Sequence, residues 1–158
     1  MALLDKRNRF ATAQAFAASA VSTDSLPLPA AGVDIFATTP MAMVFTVTTA
    51  AALAGTEAYT FRVNTATNAD GTTNAVTIAQ SPLYTVASGV FANRNDVLAA
   101  GDKVVVPIAP GLIPATATHV AGYVLIASSG SVSCTIDLLP MSHIDFGDTK
   151  YADAVTFA

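Results

Sequence analysis

Apolar residues recur at every second position in three separate stretches, and that period constrains the fold more tightly than anything else in the chain. In residues 57–64, Tyr59, Phe61 and Val63 alternate with Thr60, Arg62 and Asn64. Successive side chains of a strand point to opposite faces, so this segment has one face for a core and one for solvent. Met41, Met43, Phe45 and Val47 form a second stripe, with Thr46 and Thr48 among the residues opposite. Val132, Cys134, Ile136 and Leu138 form a third, against Ser131, Ser133, Thr135 and Asp137. Residues 120–127 are apolar on nearly both faces, which predicts a strand in the middle of a sheet.

The links between these stretches predict pairings. Ser128-Ser129-Gly130 is a short connection with a glycine available for a left-handed position, so residues 120–127 and 132–138 are expected to form a hairpin. Residues 41–47 and 57–64, joined through Gly55, are expected to form a second antiparallel pair. Shorter strands are predicted at 75–79, 83–86 and 104–108; Pro107 has no N–H to donate, which puts the last at a sheet edge or a bulge. Asp70-Gly71 marks a turn, and residues 96–100 suit one helical turn. Residues 9–20 are the one segment that alanine content favours as helix, although they lack an apolar stripe. Seven or eight short strands divided by Gly, Pro, Ser and Asn make this an all-β protein, an antiparallel β-sandwich of immunoglobulin-like or jelly-roll type. At 158 residues it suits a single domain.

Composition bears on what surrounds that sandwich. The chain is 53% hydrophobic and only 11% charged, yet its longest uncharged run, 104–136, is interrupted by Pro107, Pro110, Gly111 and Pro114. No stretch of about 20 apolar residues is available to cross a bilayer as a helix, so no membrane partner is expected. The polar surface is mostly Ser, Thr and Asn, and a surface with little charge is poorly protected against association. Self-assembly is the expectation. A net charge of −4 argues against nucleic acid, whose phosphates call for a dense Lys and Arg surface.

Chemistry-bearing residues are few. The histidines are His119 and His143, and the one thiol, Cys134, falls on the apolar side of its strand, where a packed, inert sulfur is expected. His143 with Asp145 and Asp148 is the sharpest metal-like cluster, but no second group of ligands accompanies it, and solvated side chains are the preferred reading. Asn68-Ala69-Asp70-Gly71 resembles part of a calcium loop without its later acidic ligand, and is read as a turn. No Gly-x-Ser-x-Gly elbow is present. The expectation is a protein without catalytic residues, metal or cofactor.

The two ends differ from the middle and from each other. Lys6, Arg7 and Arg9 lie within the first nine positions, whereas Asp145, Asp148 and Asp153 fall in the last fourteen. The basic start followed by an Ala-rich run to Ala18-Ser19-Ala20 has the outline of a secretory leader, but Thr12, Gln14 and Ser19 interrupt it. Residues 1–22 are therefore read as an N-terminal arm, 23–140 as the sandwich and 141–158 as a C-terminal tail. The run Leu3-Leu4-Asp5, Asn8, Phe10, Ala13-Gln14-Ala15, Ala18-Ser19-Ala20, Ser22-Thr23-Asp24 and Leu26 resembles the opening of the Bbp16-like capsid cement (decoration) proteins of tailed bacteriophages.

That resemblance implies a jelly roll that sits on the outer surface of the virion capsid, binds the major capsid protein and clamps its neighbours. It implies a homo-oligomer, dimer or trimer, and no enzymatic activity. On this reading Lys6, Arg7 and Arg9 meet carboxylates of the shell, Leu4 and Phe10 fill apolar recesses, and Asn8 lies among them. The tail aromatics Phe146, Tyr151 and Phe157 are expected to contact a neighbouring copy or the capsid. The competing function is a host-surface or glycan-binding β-sandwich, of adhesin or fibre-tip type. Sugar platforms favour exposed Trp and Tyr, and this chain has no Trp and four Tyr.

Overall fold

Where a strand's apolar stripe is continuous it must be covered, and here the stripes cover one another. The computed structural model describes residues 8–29, 39–51, 56–85, 98–128 and 130–144. Ten strands lie among them: β1 (Arg9–Phe16), β2 (Ala20–Val21), β3 (Leu26–Pro27), β4 (Met41–Thr49), β5 (Ala58–Ala66), β6 (Val76–Gln80), β7 (Tyr84–Thr85), β8 (Lys103–Ile108), β9 (His119–Ala127) and β10 (Val132–Pro140). One sheet runs β1-β10-β4-β8; the other runs β2-β9-β5-β6, with β3 also on β9 and β7 also on β5. Every pairing is antiparallel. The protein is all-β.

The inward stripes meet in one core. Met43, Phe45 and Val47 of β4 and Cys134, Ile136 and Leu138 of β10 pack with Tyr59, Phe61 and Val63 of β5 and Val120 and Val124 of β9. Phe45 and Phe61 join the two sheets, with ring centroids 5.1 Å apart and planes tilted by 54°. Tyr84 meets Phe61 edge-on at 5.8 Å. Such pairs contribute about 0.5–1.5 kcal/mol beyond the area they bury. As expected, β9 is central in its sheet, β8 is an edge strand with Pro107 exposed, and Cys134 points inward.

Both expected strand pairs are corrected. Residues 120–127 and 132–138 do not form a hairpin: β9 lies in one sheet and β10 in the other. Four connecting residues reach about 13 Å when extended, enough to cross the ~10 Å between packed sheets. The crossing is pinned by Tyr59, whose hydroxyl accepts from the Ser131 N–H at 3.0 Å and donates to the Ser131 carbonyl at 3.2 Å. Gly130 lies so close that a Cβ there would stand 2.5 Å from that hydroxyl oxygen. Likewise β4 and β5 are not paired; they face each other across the core, where their apolar stripes cover one another more fully than they would side by side.

The N-terminal boundary is also corrected. Residues 9–16 are neither arm nor helix but β1, paired to β10 with Arg9 opposite Asp137, Ala11 opposite Ile136 and Phe16 opposite Val132. Irregularities on either side of Ala11, and a left-handed Ala13 at φ 46°, hide the two-residue period in the sequence. Alanine's helical preference is worth a few tenths of a kcal/mol per residue, whereas burying Phe10 and Phe16, each 1% exposed, is worth about 1.5–3 kcal/mol apiece. Burial wins. Gln14 then closes the β1–β2 turn: its amide nitrogen donates to the Val21 carbonyl at 2.9 Å, and its oxygen accepts from the Thr23 N–H at 2.7 Å and hydroxyl at 2.8 Å. The sandwich thus includes residues assigned above to the arm.

At the other end, the chain leaves β10 through a single 3-10 turn, Met141–His143. Ile144 is buried on the outer face of the four-stranded sheet with Ala42, Val44 and Val105, flanked by Leu139 and Met141. The start of the tail is therefore packed against its own sheet. Of the helical turn expected at residues 96–100, Asp96 and Val97 lie outside the described residues, and 98–100 are not helical.

Candidate functional site

The basic N-terminal segment is divided by the fold. Leu4, Lys6 and Arg7 lie outside the described residues, and Asn8 is half-buried just before β1. Arg9 is already occupied: its Nε donates to Asp137 Oδ1 at 2.9 Å, across the β1–β10 pair. That hydrogen bond, and then the carboxylate's charge, holds the Arg9 guanidinium above its usual pKa. Phe10 is in the core, so its assignment to an apolar recess of the shell is corrected. The aromatic trio Phe146, Tyr151 and Phe157 lies outside the described residues.

The remaining candidates resolve into structural roles. Cys134 is fully buried, and loss of solvent pushes its thiol up to about 12, leaving no thiolate near neutral pH. His143 is exposed on the turn after β10, with Asp145 and Asp148 outside the described residues. Among the described residues no three His, Cys, Asp or Glu lie together in a way that would hold a metal ion. Asn68 builds the turn read from the sequence: its Oδ1 accepts from the Thr72 and Thr73 N–H groups at 3.0 and 2.9 Å, which occupies the oxygen a cation would need. Gly71, at φ +68°, lies against Ala121 and Val21, which folds this loop back over the outer face of the six-stranded sheet.

That outer face holds the feature the motifs did not reveal. The inward set Tyr59, Phe61 and Val63 leaves Thr60, Arg62 and Asn64 outward on β5; beside them Tyr123 and Leu125 project outward from β9. Arg62 stands opposite Tyr123 on one side and opposite Gln80 of β6 on the other. Thr60 and Asn64, its neighbours along the strand, are buried, and Asn64 Oδ1 accepts from the Thr77 hydroxyl at 2.9 Å. Arg62 itself is half-buried, and its Nε is enclosed without a hydrogen-bond acceptor. The one signal in the sequence was a lone cation within an alternating strand. No protein family matches the chain, and no curated protein matches it either.

Proposed function

We propose that this chain is a structural protein of a tailed-bacteriophage virion, a cement protein that coats the outer surface of the head, binds the major capsid protein and braces the shell around packaged DNA. Its fold on this reading is a jelly roll. Counting β2 with β3 and β6 with β7 as single strand positions, the sheets read 1-8-3-6 and 2-7-4-5 in chain order, the interleaving that two nested Greek keys produce.

What supports the reading is the resemblance of the N-terminal run to the opening of the cement proteins, taken together with what its residues do. Phe10 fills the core and Gln14 closes the first turn, so these two matched positions have roles in the fold itself. Shell contacts then fall to Leu4, Lys6 and Arg7, which precede the Arg9–Asp137 pair in sequence. Basic and apolar side chains meet the carboxylates and recesses of the capsid surface. A standard interface buries about 1,600 Å² in total, and repetition around a shell lets modest contacts add up. The copies act as homo-oligomers, a dimer ahead of a trimer, with Phe146, Tyr151 and Phe157 as contact residues.

Removing residues 1–7, which spares Arg9 and Phe10, tests the role. The truncated protein is expected to keep its melting temperature and to lose co-sedimentation with head shells assembled from the major capsid protein of the same phage. Undiminished co-sedimentation would refute the assignment of those residues. Removing residues 145–158, which spares the buried Ile144, is expected to lower the oligomeric state measured by light scattering; an unchanged mass removes the tail from the self-contact.

A further inference from the structure

The outer face of the six-stranded sheet carries a cation that the fold does not use. Arg9 is engaged by Asp137 and Lys103 has an interaction of its own, whereas among the described residues none makes a hydrogen bond or ion pair with Arg62. A guanidinium offers five donors in a planar fork that matches a carboxylate, and one that is half-buried has already shed part of its water. We propose that Arg62, flanked by Tyr123 and Gln80, is a carboxylate-binding site through which this face takes an acidic side chain of a partner protein.

Three features of the surroundings favour an acidic protein segment. Charge complementarity comes first, since a guanidinium without an acceptor is best matched by an anion. Second, the neighbouring edge strand β6 leaves room for a flush approach: residues 71–81 contain no charged residue, and Val76 at the start of β6 is 46% exposed. A strand with no further partner among the described residues, and an apolar side chain beside it, suits a polypeptide. Third, Tyr123 is the one aromatic residue among the outward positions of β5, β6 and β9, which is too little for a sugar platform.

The site extends the cement-protein reading by naming a second contact with the shell, and it is tested on the isolated protein so that the two stand or fall separately. A blocked tetra-aspartate peptide is titrated into the full-length protein while the Arg62 Nε–H and Tyr123 amide signals are followed by NMR. Tetra-asparagine serves as the neutral control. The aspartate peptide is expected to shift both signals in a saturable, salt-sensitive manner, and the control is not. Arg62→Gln should weaken binding about tenfold or more with the remaining amide spectrum unchanged, and Arg62→Lys should fall between.

No response to tetra-aspartate, or an equal response to tetra-asparagine, would overturn the site even if Arg62→Gln failed to fold. A response to glucuronic acid without one to the peptide would overturn it in favour of an acidic sugar. Shifts produced by protein concentration alone would overturn it in favour of a second copy. Shell co-sedimentation by wild-type protein with no Arg62 response to the peptide would remove this site and leave the proposed role in place.

Discussion

Phe10→Ala separates a core residue from an arm residue with one measurement. The ring is 1% exposed and packs in the main cluster between the sheets, one position from the Arg9–Asp137 pair. Truncating a buried Phe costs about 3–5 kcal/mol, and the lower end applies because β1 is an edge strand that can settle partly into the gap. A loss of about 3 kcal/mol is a large share of the ~5–15 kcal/mol that holds a domain together. For a chain of this length it lowers the melting temperature by about 6–12 °C. Urea unfolding followed by circular dichroism and tyrosine fluorescence reads it directly, since the chain has no Trp. The expected result is a lower midpoint with an unchanged slope. A loss below ~1 kcal/mol would mean that Phe10 does not belong to the core, and the assignment of β1 would fail with it.

Gly130→Ala should destabilise by about 2 kcal/mol, because the added methyl meets the Tyr59 hydroxyl at 2.5 Å and disturbs its two bonds to Ser131. Tyr59→Phe in the same chain should recover part of that loss; strict additivity in the urea double-mutant cycle would refute the contact. The Cys134 thiol should resist a disulfide reagent at about pH 8 in native protein and react on unfolding, and ready labelling of the native form would contradict its burial. Because its folded pKa, about 12, lies above the ordinary 9.0, the folded state keeps its proton after the unfolded chain has lost it. The stability this contributes is complete below about pH 9 and is lost as pH rises toward 12. Tyr84 is shifted in the same direction from 10.0, chiefly by burial. Cys134→Ala should flatten the alkaline loss of stability in urea titrations, and an unchanged slope would exclude the thiol as a cause.

Strand positions were legible in the sequence because alternation is local: Met43, Phe45, Phe61 and Ile136 all face the side their period predicts. Pairing was not. Alternation states which residues face the core but not from which side, so the short connection at 128–131 reads the same whether it turns back within a sheet or crosses to the other. What distinguishes the two is the distant Tyr59 hydroxyl reaching Ser131, 72 residues away in sequence. β1 was hidden for another reason, since its irregular pairing and left-handed Ala13 break the period that marks a strand. Arg62 was visible as a polar alternate, but its lack of an acceptor depends on what β6 and β9 bring to either side of it.

The position of β10 between β1 and β4 has a consequence for how the chain acquires its shape. Arg9 and Asp137 are 128 residues apart in sequence, and β1 has no place in its sheet until β10 lies beside β4. β1 is thus among the last of these strands to dock, and the four-stranded sheet remains open down its middle until residues 132–140 are free to fill it. Among the described connections, β5 to β6 is the one long local hairpin available to start the process. Such a topology closes late and slowly, because distant ends must meet before most contacts form. During synthesis the nascent chain therefore carries Phe10 and Phe16 without their β10 partner until residues 132–140 have emerged.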